Sequence, residues 1–263
     1  MPDRLDADLL AAARVGDRDA LERLLERYEP QIYRFGLRMC GDEDAAREVL
    51  QETLLAAFRH LPEFRGEAAL STWLYQIARS FCIKERRGAR PTTSIDDASQ
   101  AELVDPAPGS DVRAHAREIG VALSRAINAL PAEQREAIVL RDVEGLSAED
   151  AAQVAEVDVG ALKSRLHRAR MAVRRELAAW LEDDEIEACP ELAQELTAYV
   201  GAEIDQAACA RIEQHLETCA RCAGACEALK RTVSLCKRIP GDAVPVAVRT
   251  AVRAAIAKAI ALA

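Results

Sequence analysis

The chain has 263 residues and a formal net charge of −9, with half of its residues apolar and only 4% aromatic. That length suits two or three small domains better than a single core, and the overall acidity argues against a free-standing nucleic-acid binder, which needs clustered Lys and Arg to neutralise phosphates. No uncharged apolar run of about 18 residues and no basic leader before an apolar core is present, so neither a membrane span nor a signal peptide is expected, and the location expected is the cytoplasm.

Gly and Pro are sparse, and Ala, Leu, Arg and Glu recur at helical spacing, so the expected fold class is all-α. Charge is partitioned along the chain. Residues 161–175 carry Lys163, Arg165, Arg168, Arg170, Arg174 and Arg175 with no acid, whereas residues 91–112 carry five acids and no base. Six of the eight cysteines fall between Cys189 and Cys236; in a reducing compartment such a cluster marks metal or thiol chemistry more often than a disulfide framework.

Residues 1–90 read as one helical domain. "DADLLAAARVGD" and "RDALERLLERYEPQIYRFGLRMCGD" open on acidic caps and close at Gly-Asp pairs, and "DEDAAREVLQETLLAAFRHL" stops at Pro62. After the loop "PEFRGEAALS", the segment "TWLYQIARSFCIKERR" predicts a further helix, with Ser71 or Thr72 as its cap and Trp73, Ile77 and Phe81 recurring every fourth residue. Residues 91–112 mix Pro, Ser, Asp and Gly without periodicity, which is the composition of a linker.

Residues 113–182 form the second helical unit. Breaks at Gly145 and near Val157–Asp158, with Ser147 and Asp158 placed as N-caps, predict two helices joined by about four residues, a helix-turn-helix. On the second helix Leu162, Leu166, Ala169, Val173, Leu177 and Trp180 share one narrow arc, and Lys163, Ser164, His167 and Arg168 project roughly opposite. An Arg-rich face is often merely solvated; the cap, turn and partner helix favour insertion into a DNA major groove.

These stretches together resemble the extracytoplasmic-function (ECF) group of sigma-70 family RNA polymerase sigma factors, over about residues 5–180. The resemblance is carried by "VGDRDALERLLERYEPQIYRF", "AAREVLQETLLAAF" and "FRGEAALSTWLYQIARSFCIKERR" in the first domain, and by "ALPAEQREAIVLRDVEGLSAEDAAQVA" and "DVGALKSRLHRAR" in the second. It implies that residues 1–90 are sigma region 2, gripping core RNA polymerase through the helix around Glu48, Gln51 and Glu52 and opening the −10 promoter element. A flipped-out −10 base would be held by a loop and pocket on Phe64, Arg65 and residues up to Ser80, with Lys84, Arg86 and Arg87 on nearby phosphates; extruding a base costs a few kcal/mol, which an aromatic or polar pocket offsets. Trp73, at helical spacing, reads better as a core residue. Residues 113–182 would be region 4, reading the −35 element with Lys163, Ser164, His167 and Arg168, and the acidic linker would lie along the polymerase. A factor that borrows its DNA affinity from core polymerase need not be basic overall. The sequence departs from the family pattern at Glu48, where Asp is usual, at Ser80, where Asn is common, and at Glu156, which replaces a Gly; a positive φ there would cost a non-Gly residue roughly 1 kcal/mol.

Residues 183–240 form a cysteine-rich tail. If "ARIEQHLETC" is helical, His215 and Cys219 lie one turn apart on one face, and Cys219-x-x-Cys222 can curl two thiolates round one ion. The stretch from Cys189 resembles the zinc-binding anti-sigma fold, which implies Cys189 as the fourth ligand of a tetrahedral zinc; about 50 residues lack a self-sufficient core, and a structural metal would staple them. Cys209, Cys226 and Cys236 are left over, open to two readings: small buried hydrophobes, or a second regulatory metal site or redox pair. Residues 241–263 predict an amphipathic helix with Val248, Val252, Ile256 and Ile260 in one stripe, expected to dock on the first two domains. No nucleophile–base set or phosphate loop is present, so catalysis is not expected. The partners expected are core RNA polymerase, promoter DNA and, within the chain, the tail against the sigma domains. A polymerase-independent helix-turn-helix regulator and a metal-buffering protein are the rival readings.

Overall fold

The computed structural model describes residues 4–66, 68–88, 110–181, 188–239 and 244–261. The described residues are helical apart from turns and short connections, and two compact units emerge: Met1–Thr93 with Gly241–Ala263, and Ser94–Pro240. The expected linker falls, over residues 91–109, outside the described residues. No described helix is long and apolar enough to cross a membrane.

The first unit holds α1 (Arg4–Arg14), α2 (Arg18–Cys40), α3 (Glu43–His60), α4 (Leu70–Gly88) and α12 (Val246–Ala261). Local chemistry sets the boundaries. Asp17 and Asp42 cap α2 and α3 by accepting from the backbone N–H groups of Ala20 and Ala45, each at 3.0 Å. Gly41 ends α2 in the left-handed conformation at φ +75°. Helices α2, α3 and α4 pack pairwise around Leu24, Ile32, Phe35, Leu50, Leu54 and Leu74, all essentially inaccessible. At Gly36 a Cβ would lie 3.1 Å from the Cα of Ala46, so a glycine permits the close crossing of α2 and α3.

Two expectations for α4 are corrected. The helix begins at Leu70, so Ser71 and Thr72 sit in its first turn and do not cap it. Its buried stripe runs through Leu70, Leu74, Tyr75, Ala78 and Cys82, while Trp73, Ile77 and Phe81 are only half-buried. The packing face is one residue further on than the aromatic spacing suggests, because Tyr75 packs edge-on against Phe35 at 5.3 Å and Trp73 turns aside to meet Phe64 at 5.1 Å.

On this unit α12 packs against α3. Of the predicted stripe, Val252 is fully buried, Ile256 nearly so and Val248 half-buried, and the side chain of Ile260 lies outside the described residues. Arg249 Nε pairs with the buried Glu29 at 3.3 Å, and Arg253 pairs with Glu26. Burial pushes the Glu29 carboxyl above its ordinary range, against the opposing pull of Arg249 and Arg253.

The second unit holds α5 (Ser110–Ala129), α6 (Ala132–Ile138), α7 (Ala148–Ala155), α8 (Val159–Leu181), α9 (Ala193–Val200), α10 (Gln206–Thr218) and α11 (Ala220–Lys237). A π turn over Val139–Val143 continues α6. Ser147 Oγ accepts from the N–H of Asp150 at 2.9 Å and Asp158 Oδ1 from that of Ala161 at 2.8 Å, so both predicted caps are made. Between them Glu156 adopts φ +56°, ψ +44°, the left-handed geometry that a glycine would take without strain. Leu162, Leu166, Ala169, Val173 and Leu177 are buried, whereas Trp180 at the end of the arc is 37% exposed. The tail contributes only a small core of its own, Leu196, Ile212, Ala225, Cys226 and Leu229.

Candidate metal centre and nucleic-acid interface

The tail brings Cys189, His215, Cys219 and Cys222 together, with ligand atoms all within 4.8 Å of one another. Each arrives for a local reason. Cys189 precedes the single 3-10 turn Pro190–Leu192 that leads into α9. His215 lies in the last turn of α10, and its carbonyl accepts from the N–H of Cys219 at 2.9 Å, closing the helix so that Cys219 leaves it in extended geometry. Cys222, fully buried, sits in the first turn of α11.

Three sulfurs and one imidazole suit a closed tetrahedral zinc site, whose edges of about 3.8 Å follow from Zn–S bonds of about 2.3 Å. The set would contract by roughly an ångström to meet that geometry. His215 Nε2 is buried and makes no hydrogen bond, a cost that a metal bond would remove. The N–H of Cys189 points at Cys222 Sγ at 3.3 Å and Arg221 approaches Cys189 Sγ at 3.5 Å, contacts that orient the two sulfurs. The backbone N–H of Cys222 draws Cys219 down to about 7 despite burial, whereas burial pushes Cys222 up to about 11. Among the described residues this is the only group of three or more His, Cys, Asp or Glu placed to share an ion. The structure does not assemble Cys209, Cys226 and Cys236 into a second one. Cys209 Sγ meets Glu213 at 3.4 Å, Cys226 belongs to the tail core, and Cys236 is buried near Asp142 and Arg170, with burial raising its thiol well above the ordinary range.

The helix-turn-helix presents Lys163, Ser164, His167 and Arg168 on α8, and the tail reaches two of them directly. Lys163 Nζ donates to the Glu203 carbonyl at 2.8 Å, and His167 Nδ1 lies 2.8 Å from Thr197 Oγ1. Ser164 is half-buried and Arg168 exposed. A cleft of about 360 Å³ between α8 and the α9 segment is lined by Gly160, Lys163, Ser164 and His167 on one side and Glu195 and Glu203 on the other. Burial, then the nearby charges of Arg168 and Arg170, hold the His167 imidazole below its ordinary pKa.

Sequence reasoning missed the contacts that fasten the tail there. Arg170 turns inward and makes a paired contact with Asp142, Nη2 to Oδ1 at 2.6 Å and Nε to Oδ2 at 2.8 Å, both side chains at most 2% exposed. Its Nη1 donates to the Thr197 carbonyl at 2.8 Å. Arg141 Nε donates to Glu203 Oε1 at 2.9 Å. A signal for Arg170 existed: it stands four residues after Leu166, at the edge of the buried arc, and so differs from the outward cations. Arg141 and Glu203 carry no such signal.

In the first unit Glu48 and Glu52 on α3 are exposed and Gln51 is half-buried. Arg65 and Lys84 are exposed, and the exposed Ser80 donates from Oγ to the Ile77 carbonyl at 2.7 Å. Phe64, expected at the flipped base, is 7% exposed, packs on Trp73, and its carbonyl accepts from Arg14. Arg86 and Arg87 lie in the last turns of α4, and their side chains are outside the described residues.

Comparison with known proteins agrees with this layout. Residues 24–92 match the family description "Sigma-70 region 2", residues 120–173 match "Sigma-70, region 4", and residues 189–223 match "Putative zinc-finger". The chain is 36% identical over 175 residues to the ECF RNA polymerase sigma factor SigM of Mycobacterium tuberculosis, covering 66% of this chain and 85% of that one. It is also 36% identical over 186 residues to the RNA polymerase sigma-H factor of Pseudomonas aeruginosa, covering 68% and 96%. The solved structure of CnrH in complex with the cytosolic domain of CnrY shares the fold, with a TM-score of 0.50 at 24% identity over 66% of this chain and 98% of that one. With both sigma regions and a zinc-finger segment in register, the chain belongs to the ECF group of RNA polymerase sigma factors.

Proposed function

We propose that this protein directs core RNA polymerase to specific promoters in the cytoplasm, as a non-catalytic binding factor, and that its fused zinc-binding tail holds it in a closed state. The observation that carries the second half is that Lys163 and His167, two of the residues expected to read the −35 element, are hydrogen-bonded to the tail. A duplex and the α9 segment compete for the same face of α8. The Glu203 carbonyl takes up the ammonium of Lys163 where DNA would offer a phosphate or base acceptor.

The ligand set explains how the tail keeps its shape. Cys189, His215, Cys219 and Cys222 would hold the zinc, which supplies structural cross-linking in a domain whose own core is small. Cys189 stands at the head of the turn entering α9, so through it a bound ion would anchor the segment that lies on α8. The second half of the tail acts elsewhere, with α12 lying on α3 of the first unit while Glu48 and Glu52 stay exposed for polymerase.

Run-off transcription with purified core polymerase tests both parts. The chain cut after residue 182 should initiate from its promoters at least as well as the whole protein, and a −35 duplex should bind the whole protein less tightly than the cut form. Failure of both forms to support any promoter-dependent transcript would remove the sigma reading. Equal transcription and equal duplex affinity would remove only the closed state.

A further inference from the structure

Two cysteines outside the tail meet inside the first unit. Cys40 ends α2 and Cys82 lies on α4, and their Sγ atoms are 3.3 Å apart without a disulfide between them. They are not equivalent: Cys40 is half-buried and Cys82 only 1% exposed. The register that brings them together is fixed independently by the packing of Phe35 on Tyr75. Cys40 follows Phe35 by five residues and Cys82 follows Tyr75 by seven, about 7.5 and 10.5 Å along two helices whose chains run the same way. The thiols thus face each other across an interface already made, and an S–S bond of about 2.05 Å requires the sulfurs to close by little more than an ångström.

We propose that Cys40 and Cys82 form a redox-active dithiol whose oxidant is a hydroperoxide, a site separate from the metal centre. The accessible Cys40 thiolate attacks the terminal peroxide oxygen; an S–O bond forms, the O–O bond breaks, and the alcohol, or water from hydrogen peroxide, departs with a proton. The Cys82 thiolate then attacks the Cys40 sulfur, forming the S–S bond and expelling hydroxide, which leaves as water with the proton given up by Cys82. Two thiols and one hydroperoxide become one disulfide, one alcohol and one water. The partial burial of Cys40 admits a small peroxide, while the burial of Cys82 leaves Cys40 as its reachable reaction partner. The bond would tie α4, which carries Ser80 and Lys84 on either side of Cys82, to the end of α2.

The full-length, zinc-loaded protein is titrated with hydrogen peroxide, quenched with catalase, alkylated under denaturing conditions and mapped by peptide mass spectrometry. The expected product is a peptide pair joined through Cys40 and Cys82, reversed by dithiothreitol, with a melting temperature several degrees above that of the reduced form. Cys82→Ala should abolish the pair and leave a Cys40 sulfenic acid that dimedone traps; Cys40→Ser should leave Cys82 alkylatable at the same dose. Circular dichroism of both variants separates misfolding from lost chemistry, and the wild-type map stands without either. Recovery of both thiols as alkylated peptides at doses that oxidise the tail cysteines overturns the proposal. So does linkage of either thiol to a tail cysteine, or conversion of Cys40 to sulfinic acid with no disulfide.

Discussion

His167 Nδ1 lies 2.8 Å from Thr197 Oγ1, and Thr197 Oγ1 lies 3.1 Å from the Ala193 carbonyl, so one hydroxyl joins α8 to the tail. The hydroxyl proton is engaged by Ala193, which assigns the donor role to His167 Nδ1–H. Protonating the ring therefore leaves this hydrogen bond intact. What it adds is a half-buried positive charge beside Arg168 and Arg170.

That charge makes the contact pH-dependent. Groups around the ring include Lys163, Arg168 and Arg170 on α8, and Glu195 and Glu203 across the cleft; the net effect is a lowered pKa. The docked state therefore binds fewer protons than the released state. Docking is at full strength above the ordinary value of 6.5 and is lost progressively as pH falls through that value towards the lowered one. Fluorescence anisotropy with a −35 duplex should show the full-length protein gaining affinity, relative to the form cut after residue 182, between about pH 7.5 and about pH 5.5. A constant ratio across that range would remove His167 from the docking equilibrium.

Arg170 and Asp142 form the buried ion pair beneath this contact, and removing one partner strands a charge. Arg170→Ala should destabilise the second unit by about 3–5 kcal/mol, read by urea denaturation. Arg170→Met with Asp142→Leu should recover most of that loss, because two apolar side chains leave no charge unpaired. The double variant still lacks the bond from Arg170 Nη1 to the Thr197 carbonyl, so it should bind the −35 duplex better than wild type while folding comparably. That split between stability and affinity separates a clamp on α9 from a purely structural pair.

Much of this architecture was legible in the sequence, and the reason is local. Asp17, Asp42, Ser147 and Asp158 cap helices through bonds to residues three positions on, and His215, Cys219 and Cys222 fall within eight residues of chain. Glu156 was legible as a strained position through the family resemblance, in which a Gly is usual there; Glu156→Gly should stabilise the second unit by up to about 1 kcal/mol, checked by thermal melting. What was not legible depends on distant partners. The side-chain stripe of α4 is set by Phe35 and Phe64, and the pairing of Arg141 with Glu203 spans 62 positions with no periodicity to announce it. Arg170 stands at the edge of the buried arc, but nothing in the sequence names Asp142 as its partner, 28 positions away.

The metal centre should take up about one zinc per chain, and Cys222→Ala should abolish uptake. Binding displaces thiol protons. With Cys219 near 7 and Cys222 near 11, affinity in chelator competition should rise with pH across that interval and fall below it, with protons released to the buffer. Because Cys189 leads into α9, stripping the metal should also raise the affinity of the full-length chain for the −35 duplex. Unchanged affinity after complete metal removal would mean that the Arg141, Lys163 and Arg170 contacts hold α9 unaided.

The terminal helix poses a question of magnitude between burial and charge. Arg253 and Glu26 are 48% and 38% exposed, so that pair contributes at most about 1 kcal/mol, and Arg249, 42% exposed, leaves its pair with Glu29 partly screened, whereas burying Val252 contributes about 1.5–3 kcal/mol. Val252→Asp should therefore release α12 more completely than Arg249→Ala with Arg253→Ala, and hydrogen exchange on α3 should accelerate in that order. The gain in core-polymerase affinity on release should be a few-fold only, because Glu48 and Glu52 are exposed with α12 docked. A gain of orders of magnitude would place the polymerase contact on the apolar strip that Val252 and Ile256 cover, and would make α12 the principal barrier to assembly.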